Sequence, residues 1–167
     1  MKNSFKKLFV SFLVLFSTFL SAQIVSESTL WEAKLINDVY LVKIKSDADL
    51  KLALNDFVKS KEIHYAIIQG AGDLNHAVLV NESKSKRKKF KSSTQLTDLN
   101  GNLTLVDGVK KWDLKATLSN KSLKAYTGNI DNAIVNERVE VYIYPLTHKV
   151  HKSTDLITGI ASFDFTK

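Results

Sequence analysis

Residues 39–61 read VYLVKIKSDADLKLALNDFVKSK, and the change of period inside this stretch decides the fold. Val39 to Lys45 is a short run rich in β-branched and aromatic residues, the signature of a strand. Beyond it Leu50, Ala53, Leu54, Phe57 and Val58 fall at offsets of 0, 3, 4, 7 and 8, which places all five on one face of a helix. Ser46 precedes Asp49 by three positions, the spacing of a capping box. Asp47 and Asp49 are expected in the first turn, with Lys59 and Lys61 after the last, so the charges complement the helix dipole. No other stretch beyond residue 22 carries a convincing helical pattern.

On the N-terminal side, Leu30 to Ile36 is a second extended run, separated from Val39 by Asn37-Asp38, a pair suited to a tight hairpin turn. On the C-terminal side, Ile63 to Gln69 reads as a central strand, and Gly70-Ala71-Gly72 as a reversal into Leu74 to Asn81. Lys86 to Lys91, Gln95 to Leu105, Lys111 to Leu118, Leu123 to Ile130 and Val135 to Pro145 are further extended runs. Asn100-Gly101, Asp107-Gly108, Ser119-Asn120 and Thr127-Gly128 punctuate them. One early helix followed by strands on short connections predicts an α+β fold, with a mainly antiparallel, strongly curved sheet.

The composition suits one ordinary globular domain: 167 residues, 44% hydrophobic, 25% charged, with a single proline. There is no cysteine, which excludes thiol nucleophiles, iron–sulfur clusters and cysteine-based zinc sites. The formal charge of +7 contains an address label. Lys2, Lys6 and Lys7 precede an apolar run from Leu8 to Leu20 and the small pair Ser21-Ala22, the pattern of a secretory signal peptide over residues 1–22. The run is shorter than the roughly 20 residues a spanning helix needs, so cleavage and no lasting membrane span are expected. Removing 22 of the 167 residues leaves 145 and takes three lysines and no acid, so the charge falls to +4. The expected location is exported, periplasmic or extracellular.

Several short segments stand in a definite order and spacing. They are Val39-Tyr40-Leu41-Val42-Lys43-Ile44 before the helix, Gln69-Gly70-Ala71-Gly72-Asp73-Leu74, Leu99-Asn100-Gly101-Asn102-Leu103, Asp107-Gly108, Ala116-Thr117-Leu118 and Val139-Glu140-Val141-Tyr142-Ile143. Taken together, Val39 to Leu146 resembles the PPC domain, the plant and prokaryote conserved domain, which stands alone in bacteria and archaea and follows AT-hooks in plant nuclear proteins. The resemblance implies residues 23–38 as an N-terminal strand segment, 39–146 as the domain and 147–167 as a C-terminal extension packing on it. It also implies a homotrimer.

Many members of that family carry a His-x-His pair and a Gly-Gly-His run able to hold a metal. Here the corresponding positions are Asp113 and Lys115, and Thr127-Gly128-Asn129. Asp, Lys and Asn offer one good ligand and a cation that repels the ion, so no metal and no cofactor are expected. What survives is a polar pocket of Asp113, Lys115 and Asn129, in which Asp113 and Lys115 can form a salt bridge, with Glu140 as a further ligand-binding candidate. Glu140 alternates with Val139, Val141 and Ile143, so its plain reading is an outward-facing strand residue.

Lys84, Lys86, Arg87, Lys88, Lys89 and Lys91 put six cations in eight residues, a composition suited to polyanion contact. The plain reading is a solvated hairpin whose lysines discourage edge pairing. His64, His76, His148 and His151 match no metal position, and Lys152 to Asp155 reads as a surface loop. No G-x-S-x-G, Walker loop, H-E-x-x-H or G-x-G-x-x-G occurs, so no catalytic residue is assigned. The sequence therefore predicts an exported, non-enzymatic, trimeric protein that binds a small molecule or an envelope partner in inter-subunit clefts. The alternatives are a DNA-associated protein acting through segment 84–91, and a metal-independent lyase or hydrolase at the cleft.

Overall fold

The computed structural model describes residues 25–83 and 85–166. The expected signal peptide and Lys84 lie outside the described residues. β1 (Val25–Glu27), β2 (Trp31–Ile36) and β3 (Val39–Lys45) lead into helix α1 (Leu50–Ser60). β4 (Ala66–Val80), β5 (Arg87–Phe90), β6 (Thr94–Val106), β7 (Val109–Ser119), β8 (Ala125–Pro145), β9 (His151–Thr154) and β10 (Ala161–Phe163) follow. The ten strands join in one sheet, ordered β1-β2-β3-β8-β4-β6-β9-β10, with β5 on β4 and β7 bridging β6 and β8. Pairing is antiparallel except between β6 and β9. β4, β6, β7 and β8 each pair with two others of the four, so their hydrogen bonding forms a circuit.

The helix forms where its pattern places it. Leu50, Ala53, Leu54, Phe57 and Val58 are its buried residues. The Phe57 ring meets Trp31 of β2 edge-on at 5.0 Å and Tyr40 of β3 at 5.2 Å, tying α1 to the β2–β3 hairpin. Fully burying a side chain such as Leu54 or Phe57 is worth about 1.5–3 kcal/mol. Two indoles fix the helix's polar side: Trp31 Nε1 donates to Asp56 Oδ2 and Trp112 Nε1 to Asn55 Oδ1, both at 2.8 Å. The hairpin turn is as expected, with Asn37 (φ 46°) and Asp38 (φ 64°) both left-handed.

The cap differs from the expectation. Asp49 itself is the N-cap, its carboxylate accepting from Leu52 N at 2.8 Å and from Asn132 Nδ2 at 3.0 Å, and no acid lies in the first turn. Ser46 instead donates from Oγ to the Asn136 carbonyl of β8. The β3–α1 connection is laced onto β8, through Asp47 N to Val135 O and Val135 N to Ala48 O, and this pairing draws Ser46 away from the helix end.

Three expected turns are not turns. Gly70-Ala71-Gly72 lies inside the unbroken β4, and Asn100-Gly101 and Thr127-Gly128 lie inside β6 and β8. The glycines serve close approach: a Cβ on Gly70 would sit 2.6 Å from the Glu140 carbonyl, and one on Gly101 2.5 Å from the Asp113 carbonyl. A register shift between Gly70 and Gly72 marks a bulge in the pairing of β4 with β6. β8 is likewise one strand rather than two, carrying residues 136 to 138 where β4 carries only Asp73. Asp107-Gly108 is the hairpin turn it reads as.

Lys152, Ser153 and Thr154 are not a surface loop. They belong to β9, which runs parallel to β6 with Leu105 opposite His151 and Val106 opposite Lys152. Asp107 fastens the strand by accepting from Thr154 N at 3.1 Å and Thr154 Oγ1 at 2.7 Å.

Candidate functional site

Strand alternation decides what the site contains. Val42, Ile44, Ile68, Val139, Val141 and Ile143 point into the core with the helix, so their neighbours point to the open face. Across that face one cross-strand row runs Leu41, Tyr142, Gln69, Asn100, Lys115, Asn129, each residue in register with the next. A second row runs Tyr144, Ile67, Asn102, Asp113. Tyr142, Tyr144 and Ile67 are exposed, an apolar contribution unusual for a solvated sheet face.

Three of the four sequence-predicted ligand residues come together. Asp113 and Lys115 share the open face of β7, and Asn129 is the direct partner of Lys115 on β8. Asp113 and Lys115 line an open depression of about 290 Å³ with Ile67, Asn100 and Asn102. Glu140 lies apart from them, in a neighbouring depression of about 500 Å³ with Gln69, Ala71, Asp98 and Tyr142; Asn100 lines both. Glu140 points outward and pairs with Arg138 at 3.2 Å.

The Asp113–Lys115 salt bridge does not form. Asp113 Oδ2 accepts instead from Lys152 Nζ at 3.0 Å, while Lys115 has no ion-pair partner among the described residues. Lys152 is 8% exposed, and its ammonium lies 5.2 Å from the Phe163 ring centroid on β10. Sequence reasoning missed Lys152, because nothing in a Lys-Ser-Thr run distinguishes a buried strand from a loop. Asn100, Asn102, Gln69 and Tyr142 were also missed, although their alternation with buried neighbours carries the signal.

A divalent metal does not fit this set. Its single carboxylate already holds an ammonium, Lys115 adds another cation, and an amide is a weak donor. Among the described residues no group of three His, Asp or Glu side chains could hold an ion. His64 Nδ1 lies 2.6 Å from Lys110 Nζ and His148 Nδ1 lies 2.9 Å from Thr147 Oγ1. His76 is half-buried in β4, and His151 half-buried in β9.

The basic segment forms the exposed strand β5, paired with Ala77 to Val80 of β4. Lys86, Arg87, Lys88, Lys89 and Lys91 are all exposed, and Arg87 pairs with Asp131 of β8.

The fold has counterparts in known proteins. Residues 32–147 match the Plants and Prokaryotes Conserved domain, and the chain belongs to that family. The C-terminal extension bearing Lys152 lies outside the matched residues. A Bacteroides thetaiotaomicron structure, provisionally described as a DNA-binding protein, is 23% identical with a TM-score of 0.76, over 83% of this chain and all of that one. A metal-containing protein from Archaeoglobus fulgidus is 22% identical with a TM-score of 0.68, over 82% of this chain and 99% of that one. A plant- and prokaryote-conserved protein from Pyrococcus horikoshii is 22% identical with a TM-score of 0.65, over 85% and 99%. Likeness at this level of identity concerns the fold. No curated protein matches the chain. No helix among the described residues is long and apolar enough to cross a membrane.

Proposed function

We propose that the protein is an exported, non-catalytic binding module that assembles as a homotrimer and holds a small molecule or an envelope partner on the open face of its sheet. The observation that carries the reading is the row from Leu41 to Asn129, in which exposed Tyr142 stands beside polar Gln69, Asn100, Lys115 and Asn129 on the face turned away from α1. The depressions on that face are open, so a neighbouring subunit laid against it turns them into clefts. Export is supported by the pattern of residues 2–22. A non-catalytic role is supported by the donor set, since Asp113 is engaged by Lys152 and Glu140 by Arg138. Sedimentation velocity of Y142D against the unaltered chain tests the assembly. The variant is expected to sediment as a single chain, and unchanged sedimentation would overturn the placement of the clefts.

A second reading is association with DNA. It is supported by the exposed cations of β5 and by the provisional description of the Bacteroides structure.

A further inference from the structure

The cations of β5 are met by a second hairpin. Lys88 Nζ lies 4.0 Å from the Tyr126 ring centroid, and Lys124 Nζ lies 5.7 Å from the same ring. Tyr126 belongs to β8, while Lys124 sits with Lys121 in the turn between β7 and β8. The Phe90 ring of β5 meets Tyr126 edge-on at 5.4 Å, which fixes the ring that both ammonium groups approach. Of Lys86, Arg87, Lys88, Lys89, Lys91, Lys121 and Lys124, only Arg87 has an acidic partner among the described residues. Like charges held this close repel, and a multivalent anion relieves that repulsion. A depression of about 210 Å³ lies beside Lys86, Arg87 and Lys88, lined also by Tyr126 and Thr127.

We propose that β5 and the β7–β8 turn together form one docking site for a linear phosphate polymer, held through its charges without reading bases. This deepens the DNA-association reading and rests on the same basic strand. Base recognition on a single strand needs an aromatic face free for stacking. Here the Tyr126 face is covered by Lys88 and Phe90 is buried, so neither ring offers one. No helix lines the depression, so no recognition helix is placed to enter a major groove, and its one arginine is already paired with Asp131. Phosphate contact remains, and it carries no sequence information.

The experiment is a salt titration of binding by the full chain to inorganic polyphosphate, to two duplex DNAs of unrelated sequence, and to vesicles of anionic phospholipid. Polyphosphate and both duplexes are expected to bind, the duplexes with equal affinity. With four cations engaged, Lys86, Lys88, Lys121 and Lys124, log K against log salt for DNA should have a slope of about −4. K121M/K124M should reduce its magnitude by about two and K88M by about one, whereas K59M on the far end of α1 should leave it unchanged. A preference above tenfold between the duplexes would overturn the charge-only reading, and binding to vesicles but to neither polymer would replace it with a membrane surface. DNA binding that ignores both K121M/K124M and K88M would overturn the two-hairpin site and leave DNA association standing. Polyphosphate binding without DNA binding would support the site and end the DNA reading. No binding to any probe would overturn both.

Discussion

Lys152 donates from Nζ to Asp113 Oδ2 at 3.0 Å, joining a strand outside the family-matched residues to the strand that carries Asp113 and Lys115. The pair is asymmetric, since Lys152 is 8% exposed and Asp113 43%. It therefore does two things: it closes the C-terminal extension onto β6 and β7, and it removes Asp113 as a partner for Lys115.

The asymmetry predicts unequal costs. D113A strands a buried ammonium, and should lose about 2 kcal/mol in urea unfolding. K152M leaves a carboxylate that water still reaches, and should lose about 1 kcal/mol. The double variant should lose less than the two summed, whereas additive losses would mean the pair contributes no coupling.

The glycines of β4 predict a packing failure rather than a turn failure. G70A puts a methyl 2.6 Å from the Glu140 carbonyl, so β4 and β8 must move apart at a cost of about 1–3 kcal/mol. Thermal unfolding of G70A should show a lowered Tm. If the Tm holds, β4 and β8 are less closely apposed than the structure has them.

Capping separates Asp49 from Ser46. D49A loses the bonds to Leu52 N and Asn132 Nδ2 and should cost about 1–2 kcal/mol, most of it as lost cap. S46A should cost less, because Ser46 holds the connection to β8 and no helix N–H. The reverse ranking in chemical denaturation would restore Ser46 as the cap.

The helix and the first hairpin show where sequence reading succeeds. The helix was legible because five apolar offsets coincide with one buried face, and the first hairpin because Asn37-Asp38 tolerates left-handed backbone. Gly70, Gly101 and Gly128 were misread because a glycine that permits close approach is locally the same as one that permits a turn. The bulges in β4 and β8 interrupt strict alternation, so each long strand read as two segments. Asp113 and Lys115 were named through the resemblance, as the positions that match the family's His-x-His pair. The charge partner of Asp113 was not legible, since Lys152 reaches Asp113 only through the parallel pairing of β9 with β6.

The C-terminal turn carries a pH signature. Asp155 is held below its ordinary value of 3.8 by the Thr158 amide, then the Thr158 hydroxyl, then the Ile157 amide. A depressed folded value means the turn's stabilisation is fully present above the ordinary value and is lost as pH falls through the lower one. An NMR titration of the Thr158 amide should therefore show its midpoint below 3.8. A midpoint at or above that value would contradict the bonding of the turn.

The most direct test of the binding reading is native mass spectrometry of residues 23–167, produced through an export pathway and gently purified. The account predicts a three-chain mass that retains a small molecule, with the retained mass lost in K115M. A single-chain mass with nothing bound would contradict it.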